Sequence, residues 1–211
     1  GLGRLDSVSA ALSYSPGTLR VDSASLLAGG GEVRLSGRFP VSFSLSPFSA
    51  VLDPDAPLEA KASLRGSAEP MEGLLSEFLV LEGSEVQGEV LLYGTPARPL
   101  LTGSLKLSAS GGVLVSTSTY LKSVEGQVVF EGDKLTLANI RARADGGEAL
   151  VSGQVLLYPE LASNISVHIS DFPVMPDPFL EARVSGTLEI SGKPARPFIK
   201  GNTVSYTHLR A

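Results

Sequence analysis

The chain has 211 residues, 43% of them hydrophobic, no cysteine, and a formal net charge of −5 from 17 basic and 22 acidic side chains. Lacking cysteine, it has neither a disulfide framework nor a thiolate metal site, so burial alone must hold the fold. Its basic residues are scattered, which excludes a nucleic-acid surface built on massed Lys and Arg, and its longest apolar run, "LLSEFLVL", is too short to span a membrane and contains Glu77.

Neither an initiator Met nor a leader is legible, and the chain is expected to be an excerpt of a longer protein. From the N-terminus, "LDSVSAALSYSPGTLRVDSASLLAGGGEVRLSG" (Leu5 to Gly37) sets short strands around Gly-rich turns, where glycine admits positive φ. "VSFSLS" puts Val41, Phe43 and Leu45 on one side and Ser42, Ser44 and Ser46 on the other, the period of a strand with one buried face. Asp53 and Asp55 flank a proline in "LDPDAP", a turn composition with no His or Lys in a recognisable motif nearby, so they do not read as an acid–base pair. "LEAKASLRG" then sets Leu58, Ala60, Ala62 and Leu64 against Glu59, Lys61 and Arg65, with a slip of one residue allowed at Ser63.

One segment breaks this rhythm. In "EPMEGLLSEFLVLEG", Leu74, Leu75, Phe78 and Leu79 have the spacing of one helical face, between Pro70 and Gly83, and predict a short helix near 71–81 lying across an edge or seam. Next comes "GTPARPLLTG" (Gly94 to Gly103). Its prolines fix φ and lack an N–H, so Pro96 and Pro99 belong at a corner, and Arg98 between them points outward as a solvated side chain or a contact for a lipid phosphate.

"SLKLS" contributes Leu105 and Leu107 to an apolar face, and "DKLTLA" contributes Leu135 and Leu137. "NISVHIS" adds Ile165, Val167 and Ile169. His168 sits alone on its polar side, without partners at metal-ligand spacing, and Asn164 heads a formal glycosylation sequon. "ARVSGTLEISG" adds Val184, Leu188 and Ile190, and "GKPARPFIKG" (Gly192 to Gly201) repeats the earlier corner, with Arg196 in the place of Arg98. The last eight residues, "VSYTHLRA", match the translation of a common sequencing adapter and are expected to be a non-native tail.

Repetition organises these pieces. Leu5 to Gly37 aligns without a gap on Leu121 to Gly153 at an offset of 116, and the Pro-rich corner recurs at an offset of 98. The expected division is a β-repeat unit over 1–69, a helical segment over 70–83, a second β-repeat unit over 84–203 and the tail over 204–211. Strands this closely spaced, with no helices between them, predict an all-β antiparallel meander.

The order "LLYGTPARPLLTGSLKLS", "VEGQVVFEGDKLTLANIRARADGGEALVSGQV", "SGTLEISGKPARPFIKG" resembles the TamB family, the inner-membrane component of the bacterial translocation and assembly module, over most of Leu5 to Gly201. The resemblance implies a periplasmic β-rich rod folded lengthwise into a taco-like half-pipe with an apolar inner groove, related to the AsmA-like bridge proteins. It also implies an N-terminal inner-membrane anchor lying outside this sequence. The implied role is phospholipid transfer between the two membranes and support of outer-membrane protein and autotransporter assembly, with TamA and client proteins as partners. Val41, Phe43, Leu45, Leu105, Leu107, Leu135, Leu137, Ile165, Val167, Ile169, Val184, Leu188 and Ile190 would then line a groove for acyl chains.

No catalytic constellation, P-loop or cofactor motif is present in the sequence, and the expectation is a non-enzyme without cofactor or metal. Two alternatives stand beside the groove. A sheet with one apolar face can close on itself into a dry sandwich or barrel and act as a structural scaffold, or it can coil as an adhesin-like β-solenoid, which would show tighter repeats than these offsets.

Overall fold

The computed structural model describes residues 5–68, 76–177, 180–193 and 196–209. β1 (Leu5–Ser15), β2 (Thr18–Ala28) and β3 (Gly31–Phe39) open a meander, and β4 (Val41–Leu45) with β5 (Phe48–Leu52) forms a hairpin of its own. β6 (Leu58–Ser67), β7 (Leu79–Thr95) and β8 (Arg98–Leu114) resume the meander, followed by a 3-10 turn at Val115–Thr117 and the short β9 (Thr119–Leu121). The remainder is β10 (Ser123–Gly132), β11 (Lys134–Ala144), β12 (Gly147–Leu156), β13 (Ala162–Asp177), β14 (Leu180–Lys193) and β15 (Arg196–Leu209).

Apart from the β4–β5 hairpin, these strands form one sheet in the order β1-β2-β3-β6-β7-β8-β10-β11-β12-β13-β14-β15, with β9 beside the end of β8. Every pairing is antiparallel and β1 never meets β15, so the sheet is open and the closed barrel is excluded.

The repetition read from the sequence is a repetition of register. Val8↔Leu26 in β1–β2 recurs as Val124↔Ala142 in β10–β11, and Val21↔Gly37 in β2–β3 recurs as Leu137↔Gly153 in β11–β12, both at the offset of 116. Even the irregularity repeats: the bulge between Val21 and Ala24 reappears between Leu137 and Ile140. At the offset of 98, Gly88↔Leu105 in β7–β8 recurs as Gly186↔Thr203 in β14–β15. The sheet is thus two six-strand units, β1-β2-β3-β6-β7-β8 and β10 to β15. By register they meet at the 3-10 turn and β9. The two offsets differ by 18 for two reasons: the β4–β5 hairpin makes the β3–β6 connection 11 residues longer than the one from β12 to β13 (Val33↔Leu64 against Ala149↔Ile169), and the β6–β7 connection is 7 residues longer than the one from β13 to β14 (Leu64↔Gly88 against Ile169↔Gly186).

Two local expectations change. The helix near 71–81 falls partly on 69–75, outside the described residues; beyond them 76–78 form a turn, and Leu79, Val80 and Leu81 are extended in β7 against Leu114, Val113 and Gly112. Cross-strand apolar partners there outweigh a helical spacing that the sequence shows only locally. The slip at Ser63 does not occur, since β6 keeps continuous register with both β3 and β7. β15 also runs unbroken past Val204, which pairs with Ser185, to Leu209.

The solvent-accessible surface is 13,217 Å², against about 9,300 Å² expected of a compact monomer of this mass. Among the described residues no second layer covers the main sheet, which accounts for the difference. Dense packing is local: Leu81, Ala109, Leu121, Val124, Ala144 and Phe172 form a buried cluster where β9 meets β13. Thr119, 1% exposed, ties that end shut by donating from Oγ1 to the Pro173 carbonyl at 3.1 Å. β9 lies on the flank of β8 and Phe172 is four strands away along the sheet, so at this end the sheet curls over its apolar face.

Candidate functional site: an uncovered apolar face

Residues directly opposite in an antiparallel sheet share a face, so the register can be followed from edge to edge. One row runs Val8, Leu26, Val33, Leu64, Gly88 and Leu105 across the first unit. It continues through Val128, Leu137, Gly153, Ile165, Ile190 and Ile199 across the second. A neighbouring row passes through Val86, Leu107, Gly126, Ile140, Val151, Val167 and Leu188, and another through Phe130, Leu135 and Val155. None of these residues is charged. With twelve strands at about 4.8 Å separation, the first row is roughly 53 Å long.

The structure brings ten of the expected groove residues onto this one face: Leu105, Leu107, Leu135, Leu137, Ile165, Val167, Ile169, Val184, Leu188 and Ile190. All ten are half-buried, neither sealed in a core nor fully in water. Val41, Phe43 and Leu45 are corrected: they belong to the β4–β5 hairpin, paired with Leu52, Ala50 and Phe48, and are not part of the main sheet. Alternation sets the face of a strand but not which sheet it joins. The hairpin touches the end of the apolar face through Phe43, whose ring meets Tyr14 edge-on at 5.0 Å and whose amide donates to the Tyr14 hydroxyl at 3.2 Å.

Sequence reasoning passed over Val8, Leu26, Val33, Val128, Ile140 and Val151, which complete the rows. Ile140 was hidden by a bulge: it follows the inward Leu137 by three positions instead of two, and Asn139 between them takes the left-handed conformation at φ 50°. Asp171, at φ 45°, does the same between Ile169 and Phe172. Asn and Asp tolerate that conformation better than other side chains, so a lone Asn or Asp interrupting an apolar alternation was the available signal.

Glycines in the central row shape the face. A Cβ at Gly88 would strike the Ser104 carbonyl, and one at Gly153 the Asn164 carbonyl, so neighbouring backbones approach more closely here than any other residue allows. Glycine kinks and bulges of this kind curve a sheet.

The opposite face is polar. Ser9, Ser25, Arg34, Ser63, Glu89 and Ser104 form one of its rows. Ion pairs such as Lys61 with Glu89 at 2.9 Å, and Arg141 and Arg143 with Glu148 at 3.2 and 3.3 Å, cross between strands; exposed pairs of this kind contribute about 0–1 kcal/mol each. A trough of about 950 Å³ runs over Arg65, Gln87, Lys106, Gln127, Glu125 and Arg141. It mixes both signs of charge. His168 is exposed here, with Nδ1 3.2 Å from the Thr187 hydroxyl. Among the described residues no three His, Asp or Glu side chains gather to hold a metal ion.

Arg98 at the first Pro-rich corner lies over the Tyr158 ring at 5.3 Å, and the Ala97 amide donates to the Pro54 carbonyl. The corner is thus fixed against the connections on both flanks, while the middle of its repeat at Gly192 to Gly201, residues 194–195, falls outside the described residues. At the other end of the sheet, Arg183 donates to Asp171 Oδ2 at 2.6 Å and to the Asp145 carbonyl at 2.7 Å, clamping the β13 bulge to the β11–β12 turn. The Lys122 ammonium, bonded to Asp145 at 3.0 Å, holds that carboxyl below the usual carboxylate range, with Arg183 adding a smaller pull.

Residues 138–207 match the family model described as the TamB C-terminal domain. No curated protein and no solved structure matches the chain. The matched stretch lies within the second six-strand unit, and the recurring register gives residues 5–114 the same strand plan.

Proposed function

We propose that this chain, whose residues 138–207 match the TamB C-terminal domain, belongs to a TamB-like protein and is part of a periplasmic bridge that carries phospholipids between the inner and outer membranes. The observation that supports this reading is the apolar face itself, whose longest row runs uncharged from β1 to β15 and which no second layer covers among the described residues.

Apolar surface left in water costs about 25 cal/mol per Å², and each methylene seated on it recovers about 0.8 kcal/mol. Acyl chains therefore adhere to the face by burial alone, with no directional bond to break as they move along it. An acyl chain spans about half of a 30 Å hydrocarbon core, much less than the length of the row, so several lipids can lie on the face at once. Head groups would project into water beyond the strand ends, and the reading gives the chain no reaction and no cofactor. Support for assembly of outer-membrane proteins, with TamA and client chains as partners and an inner-membrane anchor outside these residues, belongs to the same proposal through the family likeness.

The test places a photo-crosslinking amino acid at Val167 on the apolar face, and at Ser166 on the polar face as the control, within the parent protein in cells. Phospholipid attached at 167 and not at 166 is the expected result. A folded, correctly located protein with no lipid at 167 would move the role to assembly alone. Val167→Asp is expected to fold, because Val167 is only half-buried, and to lose lipid attachment at positions along its row.

A further inference from the structure

The β4–β5 hairpin carries apolar residues that neither the buried cluster nor the rows of the main sheet use. No charged residue lies between Arg38 and Asp53, and the register sorts what remains onto two faces. The pairs Val41↔Leu52, Phe43↔Ala50 and Leu45↔Phe48 are wholly apolar in composition, and the pairs that alternate with them, Ser42↔Val51 and Ser44↔Ser49, are mostly serine. Phe48 is 76% exposed and Leu52 49%, so the main sheet does not cover the apolar set. A two-stranded hairpin is marginal in water without apolar support. Among the described residues its ties lie toward its root, where the Asp53 amide donates to the Pro40 carbonyl at 2.9 Å and the Phe43 ring meets Tyr14.

We infer that the apolar face of this hairpin holds one phospholipid acyl chain, its tail toward Tyr14 and its head group beyond the tip at Ser46 and Pro47, as a station beside the main apolar face. The identity of the ligand rests on the lipid-carrying reading above.

Size, charge and position choose this occupant. Strands of five residues are about 16 Å long, and two of them side by side about 10 Å wide. That length matches one acyl chain, about half of a 30 Å hydrocarbon core. The area, roughly 160 Å², falls far short of the about 800 Å² per partner that a stable protein interface buries. At the root, Asp53 and Asp55 stand together, the Asp55 amide donating to Asp53 Oδ1 at 3.0 Å. Their carboxylates repel phosphate there, which opposes a bilayer surface wrapped around the root and sends the head group to the uncharged tip. Tyr14 pairs with Leu19 and Leu19 with Phe39, the end of the apolar face on β1, β2 and β3. A tail seated on the hairpin therefore ends against that face. The second unit has no such hairpin between β12 and β13, so the station is an addition to one unit and not part of the repeat.

Neighbouring residues provide the test. A photo-crosslinking amino acid is placed in the parent protein in cells at Leu52, on the apolar face, and at Val51, on the serine face. Val51 is 60% exposed, so exposure alone would favour label at 51. Phe48 and Ser49 repeat the comparison near the tip in case a substitution at 51 or 52 disturbs folding. At least tenfold more phospholipid is expected at 52 than at 51, and at 48 than at 49. Equal lipid on both faces would mean a hairpin immersed in a bilayer, and a cross-linked polypeptide would mean a protein partner. Either result, or no lipid at 48 and 52, overturns the inference. Position 167, read in the same cells, separates the two ideas. Lipid at 167 with none at 48 and 52 removes the station and leaves the lipid-carrying face, whereas lipid at 52 with none at 167 does the reverse.

Discussion

Phe172 and Thr119 hold a place where the sheet closes over its own apolar face. Phe172 is 5% exposed within the buried cluster, and truncation there leaves a cavity that surrounding strands fill only in part. Phe172→Ala is therefore expected to cost about 3–5 kcal/mol, read as a lower midpoint in urea unfolding. Thr119→Val keeps the volume but strips the Pro173 carbonyl of its side-chain donor, and about 1–3 kcal/mol is expected from the same measurement. Asp145 answers to pH. Its folded carboxyl titrates below its unfolded one, so its bond to Lys122 stabilises the fold above the ordinary carboxylate pKa, and the gain disappears as pH falls through the folded value. An NMR titration of that carboxyl should show the depression in the wild type and its loss in Lys122→Met. At this scale the sequence revealed the inward residues wherever alternation was strict, as at Ile165, Val167 and Ile169. It hid Ile140 and Phe172, because a bulge returns a side chain to the same face after three residues and a period of two cannot register that.

The β4–β5 hairpin is the element that reads well and was placed badly. Its alternation is as clear as that of any strand in the main sheet, yet it pairs only with itself. The second unit manages without one, which argues that the hairpin does not support the sheet. Replacing 41–52 by a short Gly-Ser connection is expected to leave the unfolding midpoint within about 0.5 kcal/mol of the parent, as for changes away from buried features. A larger loss would mean that the Phe43 and Tyr14 contact anchors β1. The expected helix erred differently. Leu74, Leu75, Phe78 and Leu79 show a helical spacing, but Leu79 and Leu81 also alternate around Val80, and a short apolar run cannot decide between the two periods until its partner strand is known.

At the scale of the molecule, the two offsets of 116 and 98 already contained the architecture, because a duplicated sequence that keeps its register must duplicate its sheet. Whether the sheet closed was not legible. A dry barrel and an open half-pipe require the same apolar alternation and differ only in what covers it. An open face should bind an apolar dye such as ANS in the native state. Dye fluorescence that appears only on unfolding would contradict the uncovered face.

The recurring register also makes span and pitch countable. Six strands at about 4.8 Å advance the sheet by about 29 Å per unit. The row that enters the first unit at Val8 enters the second at Val128, the counterpart of Leu12 and not of Val8. Each unit therefore sidesteps the row by four residues, roughly 13 Å at about 3.3 Å per residue. The track runs obliquely, like the thread of a screw, and its lead is set at the junction between units. Removing one whole unit from a longer array would shorten the track by one lead and leave its cross-section intact, whereas slipping the pairing at one junction by a single residue would turn every later row over to the wrong face.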